Sequence, residues 1–264
     1  MSVQPIIEGV HINLLTQKAA VQAAIGHAER GNGFNLFTLN LDHLVKLRSS
    51  TAFQRAYATA QLVTADGAPV VWLARRQGAK LERTTGADLV EPLLAEAARR
   101  GVPVYIVGPG PEAQAAAVAK LKDRHPGLTI AGAETPIVPG DDSGLGPFDI
   151  DALAERINTS GARLCFLCLG APKQELLAEA LRRRCPRVGF LGVGAALDFI
   201  AGAVSRAPAW MRATGLEWTW RLLSQPRRMT RRYARCALLF AELALRALVG
   251  GRGDQPPALP EPAR

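Results

Sequence analysis

Residues 163–197 read RLCFLCLGAPKQELLAEALRRRCPRVGFLGVGAAL, and this stretch decides the fold. Two apolar runs, Arg163–Leu169 and Arg187–Val193, have the length and composition of buried strands. Between them, the turn GAPKQE leads into a segment that is typical of a helix and continues to Arg184. Because two parallel strands need a long crossover connection, usually a helix, this order predicts a βαβ unit and a parallel sheet.

The same alternation of apolar runs and helical segments of about 10–15 residues extends toward the N-terminus. It predicts an α/β fold, with a mostly parallel sheet flanked by helices. A short two-stranded pair is expected around Gly9, and one long helix is expected from Leu41 to Ala60. The four further predicted strands are Phe34–Leu39, Leu62–Ala65, Pro103–Gly108 and Leu128–Ala131.

Positive charge is concentrated near the C-terminus. Residues 201–252 hold +8 of the formal net charge of +9, because their arginines face only Glu217 and Glu242. Residues 253–264 carry −1, which leaves +2 for the first 200 residues. The same segment contains Trp210, Trp218 and Trp220. A basic, aromatic segment of this kind is expected to meet phosphates, whether of a nucleic acid, lipid headgroups or a substrate.

Cysteine usage and hydropathy indicate a cytoplasmic protein. Cys165 and Cys168 form a CxxC pattern, but they lie in a predicted strand, where residues three apart face opposite sides. A redox or zinc pair is therefore not expected, and a reducing compartment is the simplest interpretation. The N-terminus does not resemble a secretory signal. The longest apolar run, residues 236–248, is shorter than the roughly 18–20 residues of a membrane-spanning helix and contains Glu242 and Arg246.

Polar groups and glycines collect where the predicted strands end. Parallel sheets place their ligands at the carboxyl ends of the strands, so these groups predict a binding pocket. Lys173 and Gln174 would stand beside a helix N-terminus, which attracts anions, although GAPKQE also fits an ordinary strand-to-helix turn. The pocket candidates are Thr38, Asn40, Asp66, Gly67, Gly108–Gly110, Gly170–Gln174 and Gly192–Gly194.

Asp66 is the single carboxylate in this set. It follows an apolar strand in the sequence TADG. A carboxylate in such a place can act as a general base. It can equally be a turn residue whose side chain bonds to its own backbone. The residues alone leave both interpretations open.

Three other patterns do not support a cofactor or metal site. GPGPEA at 108 and GVGAAL at 192 lack the third glycine of the dinucleotide fingerprint, which disfavours an NAD-dependent dehydrogenase. Asp149 and Asp151 spell DxD, but they follow a Pro/Gly loop and Asp151 begins a predicted helix, so a helix cap is the better interpretation. The four histidines are scattered. We therefore expect neither a metal nor a cofactor.

Seven motifs occur in order over roughly residues 5–245. They are TLNLDHL, TADG, ERTTGADL, LGAPKQE, GVGAALDFIAG, SRAP and GLEWTWRLLSQPRRMTRRY. Together they resemble the WecG/TagA/CpsF glycosyltransferases, glycosyltransferase family 26. One mild departure is Ala171, where relatives often have Ser.

The resemblance implies a Rossmann-like catalytic domain in residues 1–204 and a helical, Arg- and Trp-rich appendage in residues 205–250. Residues 251–264 are Pro-rich and expected to be disordered. The implied activity is inverting transfer of a hexose or N-acetylhexosamine from a UDP-sugar to a polyprenyl-diphosphate-linked sugar. This step belongs to surface polysaccharide synthesis at the inner face of the cell membrane. N-acetylmannosamine is the expected sugar, with glucose or mannosaminuronic acid as alternatives, and no metal is required.

The resemblance also implies roles for individual residues. Asp66 matches the candidate general base, and Thr38, Asn40, Arg83 and Gln174 match pocket positions. Gly67 and Lys173 join the substrate-binding set from their place at the strand ends. The Arg-rich motif contributes Arg221, Arg228 and Arg231, whose individual roles are left open because more than one register fits.

The appendage has three interpretations. Basic residues among aromatics suit a nucleic-acid binder, whereas an apolar face with Trp and a cationic rim suits a membrane surface. Arginines aimed inward would suit an active-site lid. The resemblance favours a membrane surface combined with a lid, with no nucleic-acid partner, and leaves self-association open. A non-catalytic Rossmann-like module that binds membranes or nucleic acid is the alternative from another class.

Overall fold

The computed structural model describes residues 3–249, apart from the side chains of Ala213 and Arg228. The chain has the predicted α/β, Rossmann-like fold, with a parallel sheet between layers of helices. Its strands are β1 (Ile6–Ile7), β2 (Val10–His11), β3 (Phe34–Leu39), β4 (Leu62–Ala65), β5 (Val104–Val107), β6 (Ile130–Glu134), β7 (Gly140–Asp141), β8 (Gly144–Leu145), β9 (Leu164–Leu167) and β10 (Gly189–Gly192).

The helices connect these strands and cover both faces of the sheet. They are α1 (Gln17–Glu29), α2 (Leu41–Ser49), α3 (Thr51–Ala58), α4 (Ala68–Arg76), α5 (Gly86–Arg100), α6 (Pro111–Arg124), α7 (Ile150–Thr159), α8 (Lys173–Arg182), α9 (Ala196–Ala201), α10 (Ala209–Ala213), α11 (Glu217–Ser224) and α12 (Pro226–Val249).

The main sheet has six parallel strands in the order β4-β3-β10-β9-β5-β6. The predicted βαβ unit is present, because β9 and β10 pair in parallel and α8 connects them. Two small antiparallel pairs, β1–β2 and β7–β8, lie outside this sheet. Since β3 pairs with both β4 and β10, the carboxyl ends of these three strands lie side by side, in the half of the sheet that begins with the outer strand β4.

Two expectations about single elements were wrong. The expected long helix from Leu41 is divided into α2 and α3 at Ser50, whose extended backbone ends the first helix. The Ser50 side chain then accepts a hydrogen bond from the Phe53 amide, a typical helix N-cap. The fourth predicted strand begins at Ile130 instead of Leu128 and ends at Glu134.

Every side chain of β3 is buried, because helices cover both faces of the sheet. Phe34 and Leu36 belong to the core shared with α1, α5, α6 and α9, whereas Phe37 and Leu39 belong to the opposite core. Cys165 and Cys168 are divided between these two cores in the same way, and all four cysteines are free. The two cysteines of the CxxC pattern thus face opposite sides of the sheet, as predicted.

Helix α12 lies against the outer side of α2 and α4. The rings of Phe240 and Trp72 meet edge to face with centroids 5.7 Å apart, and Leu239 and Leu243 are buried in the core. Two ion pairs connect α12 to α2: Arg232 Nε lies 3.1 Å from Asp42 Oδ1, and Arg48 Nη1 lies 2.7 Å from Glu242 Oε2. The expected tail, residues 251–264, lies outside the described residues.

Replacing Asp42 with Asn should loosen this contact. Burial alone would raise the pKa of Asp42, but Arg232 and Lys46 outweigh it, and the pKa lies below its ordinary value. We expect Asp42→Asn to lower the free energy of unfolding at pH 7 by about 1–2 kcal/mol, since it leaves two cations without their carboxylate. The loss should shrink as the pH falls below about 4, because the wild-type carboxylate then becomes protonated, first in the unfolded chain and at lower pH in the folded protein.

Urea unfolding of the wild type and Asp42→Asn at pH 7 and at pH 3 measures this effect. Asp151→Asn is the matched control, because Asp151 pairs with Arg184 at an exposed position. Equal losses for Asp42→Asn and Asp151→Asn would contradict the role of Asp42 in anchoring α12.

Candidate functional site

Asp66 lies directly after β4, at the carboxyl edge of the sheet. Its amide donates a 2.8 Å hydrogen bond to the Leu39 carbonyl at the end of the neighbouring β3. Gly67 follows with φ of 88°, which suits glycine, and is the residue before α4. No hydrogen bond to the Asp66 carboxylate is found among the described residues. In the structure, Asp66 is therefore not a turn residue whose side chain bonds to its own backbone.

The Asp66 carboxylate has an unusual affinity for a proton. Burial raises its pKa to about 6, although the nearby Arg221 and Arg83 oppose the shift. The carboxylates of Glu217 and Asp88 add to the increase. A carboxylate with a pKa of about 6 is largely ionised at neutral pH, yet it binds a proton more readily than an ordinary aspartate does. This combination suits a general base.

The loop before α5 connects Asp66 to the C-terminal helices. The Thr84 amide donates to the Ala65 carbonyl at 2.8 Å, which places Arg83 beside the end of β4. Arg83 Nη2 donates to the Arg212 carbonyl at 3.0 Å. A Cβ on Gly215 would lie only 2.7 Å from the Cβ of Ala68, the first residue of α4. Residues 212–215 therefore pack directly against the start of α4, two residues after Asp66.

Three arginines surround Glu217 at this contact. Glu217 Oε2 lies 3.5 Å from Arg83 Nη1, and its Oε1 lies 3.7 Å from both Arg206 Nε and Arg221 Nη2. Arg206 Nη2 also pairs with Asp88 Oδ1 at 2.5 Å. We call Arg83, Arg206, Glu217 and Arg221 the arginine cluster. It gathers guanidinium groups from the loop before α5, from the segment after α9 and from α11.

Phe199 supports two members of this cluster. The guanidinium carbons of Arg206 and Arg221 lie 5.8 Å and 5.6 Å from the centre of its ring. Cations are attracted to an aromatic face at such distances. The predicted site residues did not include Phe199, Arg206, Asp88 or Glu217. The motifs GVGAALDFIAG, SRAP, ERTTGADL and GLEW do contain them, but only the packing of α11 shows that they meet.

Two predicted pocket residues, Thr38 and Asn40, lie at the end of β3 and contact neighbouring parts of the fold. Thr38 is buried and pairs in register with Thr64 of β4. Asn40 follows β3, and its side-chain oxygen accepts a 3.0 Å hydrogen bond from the His43 amide, which caps α2. Both residues stand at the same edge of the sheet as Asp66. Capping occupies the oxygen of the Asn40 side chain.

Gln174 connects the loops that follow β9 and β10. Its side-chain oxygen accepts hydrogen bonds from the amides of Gly170 at 3.2 Å and Gly194 at 3.0 Å. Its side-chain nitrogen donates to Glu175 Oε1 at 2.8 Å. Gln174 is buried, whereas Lys173, the first residue of α8, is partly exposed. Gln174 therefore holds two strand-end loops together.

The predicted arginines of the C-terminal motif occupy different surroundings. Arg221 belongs to the arginine cluster, with its side chain 44% exposed. Arg231 is exposed on α12, and no ion pair of its side chain is found in residues 3–249. The side chain of Arg228 lies outside the described part of the structure. The structure thus brings together Asp66, Arg83 and Arg221.

Within residues 3–249, no group of three or more His, Cys, Asp or Glu side chains is arranged to hold a metal ion. In that same range, no helix is long and apolar enough to cross a membrane. The DxD pattern does contain a helix cap, as predicted, but the cap is Asp149, whose side chain accepts a hydrogen bond from the Ala152 amide. Asp151 lies in the first turn of α7.

The fold and the site define a class of protein. It is a Rossmann-like domain with the buried carboxylate of Asp66 and several arginines at the carboxyl edge of its sheet, where basic C-terminal helices pack. Residues 5–254 match the model of the glycosyl transferase WecG/TagA/CpsF family. The chain belongs to this family. Family membership confirms the resemblance, implies a sugar donor and an acceptor as substrates, and removes the dehydrogenase interpretation.

Proposed function

We propose that this protein moves a hexose or N-acetylhexosamine from a UDP-sugar to a polyprenyl-diphosphate-linked sugar, with inversion at the anomeric carbon. N-acetylmannosamine is the first candidate, and glucose or mannosaminuronic acid are the alternatives. The observation that carries the proposal is the position of Asp66, whose pKa is about 6, beside Arg83 and Arg221 in a chain of this glycosyltransferase family.

In the proposed reaction, an acceptor hydroxyl attacks the anomeric carbon on the face opposite the departing UDP. Asp66 takes the hydroxyl proton as the new carbon–oxygen bond forms. The bond from the anomeric carbon to the phosphate oxygen breaks, and its electron pair leaves with UDP. A single displacement of this kind inverts the configuration. It needs one base. Glu217 and Asp88 pair with arginines, whereas no ion pair or hydrogen bond of the Asp66 carboxylate is found among the described residues, so Asp66 is the base that we propose.

The departing UDP gains negative charge and needs cations. Arg83 and Arg221 stand beside Asp66 and are proposed to bind the diphosphate, since guanidinium groups form strong charge-assisted bonds with phosphates. The Glu217 carboxylate lies between these two guanidinium groups, 3.5 Å from Arg83 Nη1 and 3.7 Å from Arg221 Nη2. The remaining proposed substrate-binding residues are Thr38, Asn40, Gly67, Lys173, Gln174, Arg228 and Arg231.

The acceptor's lipid chain lies in a membrane, and the C-terminal helices are proposed to bind that membrane from its inner, cytoplasmic side. Among the described residues, the large apolar side chains that are exposed concentrate in this part of the chain. An apolar face beside many arginines is suited to the surface of an anionic membrane. The exposed apolar residues of the segment are Trp210, Leu216, Trp218, Leu223, Leu238, Leu245, Leu248 and Val249.

A transfer assay tests the function. The purified full-length chain is incubated with each member of a UDP-sugar panel and an N-acetylglucosaminyl-diphospho-polyprenol acceptor, with and without anionic vesicles. We expect one UDP-sugar to yield UDP and a lipid-linked disaccharide. A protein that binds no UDP-sugar and transfers no sugar under any of these conditions would overturn the proposal.

Arg221→Gln should weaken the binding of UDP by about 10–100-fold, since one charge-assisted bond to a phosphate contributes about 1.5–3 kcal/mol. Titration calorimetry with UDP measures the change. Arg227→Gln, on the exposed start of α12, removes the same charge from the same segment and is the matched control. Equal weakening by both variants would indicate a general charge effect and would remove Arg221 from the diphosphate site.

A further inference from the structure

A second polar cluster is buried behind the candidate site, between α2, α3 and α8. His43 Nδ1 lies 2.6 Å from the Tyr57 hydroxyl, and His43 Nε2 lies 3.6 Å from Glu175 Oε1. The side chains of His43 and Glu175 are 3% and 1% exposed. These three residues take no part in the proposed reaction.

This cluster is connected to the strand-end loops. Glu175 Oε1 accepts the hydrogen bond from Gln174, whose own oxygen holds the amides of Gly170 and Gly194. The backbone of His43 is held by the cap from Asn40. A continuous set of contacts therefore runs from Tyr57 through Glu175 to the loops after β9 and β10.

The surroundings of Glu175 favour an uncharged side chain. Its Oε2 is buried and has no hydrogen-bond partner, and an ionised carboxylate in that position would lose hydration without replacement. Burial raises the pKa of Glu175 to about 8 and lowers the pKa of His43 to about 3. The other charged groups facing the pair are Asp42, Lys46 and Arg232.

One proton arrangement satisfies these contacts. If the Tyr57 hydroxyl donates to His43 Nδ1, the histidine proton lies on Nε2 and points toward Glu175 Oε1. That oxygen then acts as the carbonyl of a carboxylic acid and also accepts from Gln174. Gln174 is consequently fixed with its oxygen toward the two glycine amides.

We propose that Glu175 is a positioning residue that acts as a neutral carboxylic acid, orienting Gln174 so that the loops after β9 and β10 keep the shape required for donor binding. The importance of Glu175 for sugar transfer rests on the proposed function. The protonation state of Glu175 and its hydrogen bond with Gln174 are independent of that function.

Glu175→Gln keeps the size and the accepting oxygen and cannot ionise. We expect this variant to bind UDP and turn over within about threefold of the wild type at pH 6.5. Wild-type kcat/KM should decline reversibly above about pH 8, when Glu175 ionises, and Glu175→Gln should lack this decline. Glu175→Ala removes the oxygen that holds Gln174 and should lower kcat/KM by about tenfold or more.

A thermal measurement gives a result that is independent of transfer. The folded-state pKa of Glu175 lies above the ordinary value, so the folded protein binds a proton more tightly than the unfolded chain, and stability falls as the pH rises toward 8. We expect Glu175→Gln to have a higher Tm than the wild type. This difference in Tm should be larger at pH 8 than at pH 5 by about 3 °C or more. The exposed Glu155→Gln is the control.

The outcomes separate the two proposals. If no UDP-sugar is transferred by the wild type but the difference in Tm grows as expected, the proposed function fails and the neutral state of Glu175 stands. Parallel Tm curves for wild type and Glu175→Gln would overturn the neutral state. A Glu175→Gln variant that folds but loses as much activity as Glu175→Ala at pH 6.5 would overturn the positioning role.

Discussion

Asp66→Asn is expected to lower kcat by about 10²–10⁴-fold, the usual contribution of a general base. Asn has nearly the same size as Asp, but its side chain cannot take the proton from the hydroxyl of the sugar acceptor. UDP should still bind, because the cations proposed to hold the diphosphate belong to Arg83 and Arg221. Steady-state transfer and UDP titration on the same preparation separate the two effects.

The pH dependence of kcat/KM provides a second test of Asp66 as the base. Since the pKa of Asp66 is about 6, wild-type kcat/KM should fall as the pH drops below 6 and the base becomes protonated. Asp123→Asn, at an exposed position of α6, is the matched control and should behave as the wild type. Wild-type turnover by Asp66→Asn would remove Asp66 from the role of base.

The triple variant Leu238→Ser, Leu245→Ser and Leu248→Ser is expected to weaken binding to anionic vesicles by at least about 100-fold. These side chains are 74%, 63% and 63% exposed on α12, and burying each in a membrane contributes at most about 1.5–3 kcal/mol. Because they do not form the core, the fold should remain intact. Sedimentation with vesicles measures the binding, and transfer to a water-soluble short-chain acceptor should remain close to that of the wild type.

Ile137→Ser is the control for this variant. Ile137 is 92% exposed, but it lies in the loop between β6 and β7 and is not part of the C-terminal helices. Its replacement should leave vesicle binding unchanged. Unchanged binding by the triple leucine variant, or equal loss by Ile137→Ser, would contradict the proposal that α12 contacts the membrane.

Much of the fold follows from local sequence. The alternation of apolar runs and helices predicts the parallel sheet, because few other arrangements bury continuous apolar strands such as Phe34–Leu39. The order of the strands is not local information: β3 pairs with β10 although most of the chain separates them. The break at Ser50 was missed because its cap competes with a sequence that otherwise favours one helix.

The candidate site was predicted in part. Asp66 and Arg83 were identified by their motifs, and the structure places both at the carboxyl edge of the sheet. The arginine cluster required knowledge of tertiary packing, since Glu217 lies 134 positions from Arg83 in the chain. For Gln174, sequence indicated the correct region but not the bonds to Gly170 and Gly194, because these depend on how two separate loops approach each other.

The anomeric configuration of the product is the most direct test of a single displacement with Asp66 as the base. Full-length protein is supplied with an α-configured UDP-sugar and a lipid-diphosphate acceptor, and the new glycosidic bond is assigned by proton NMR. A β-linked product from the wild type, with none detected from Asp66→Asn on the same time scale, is the expected result. An α-linked product would contradict the inverting, single-base mechanism.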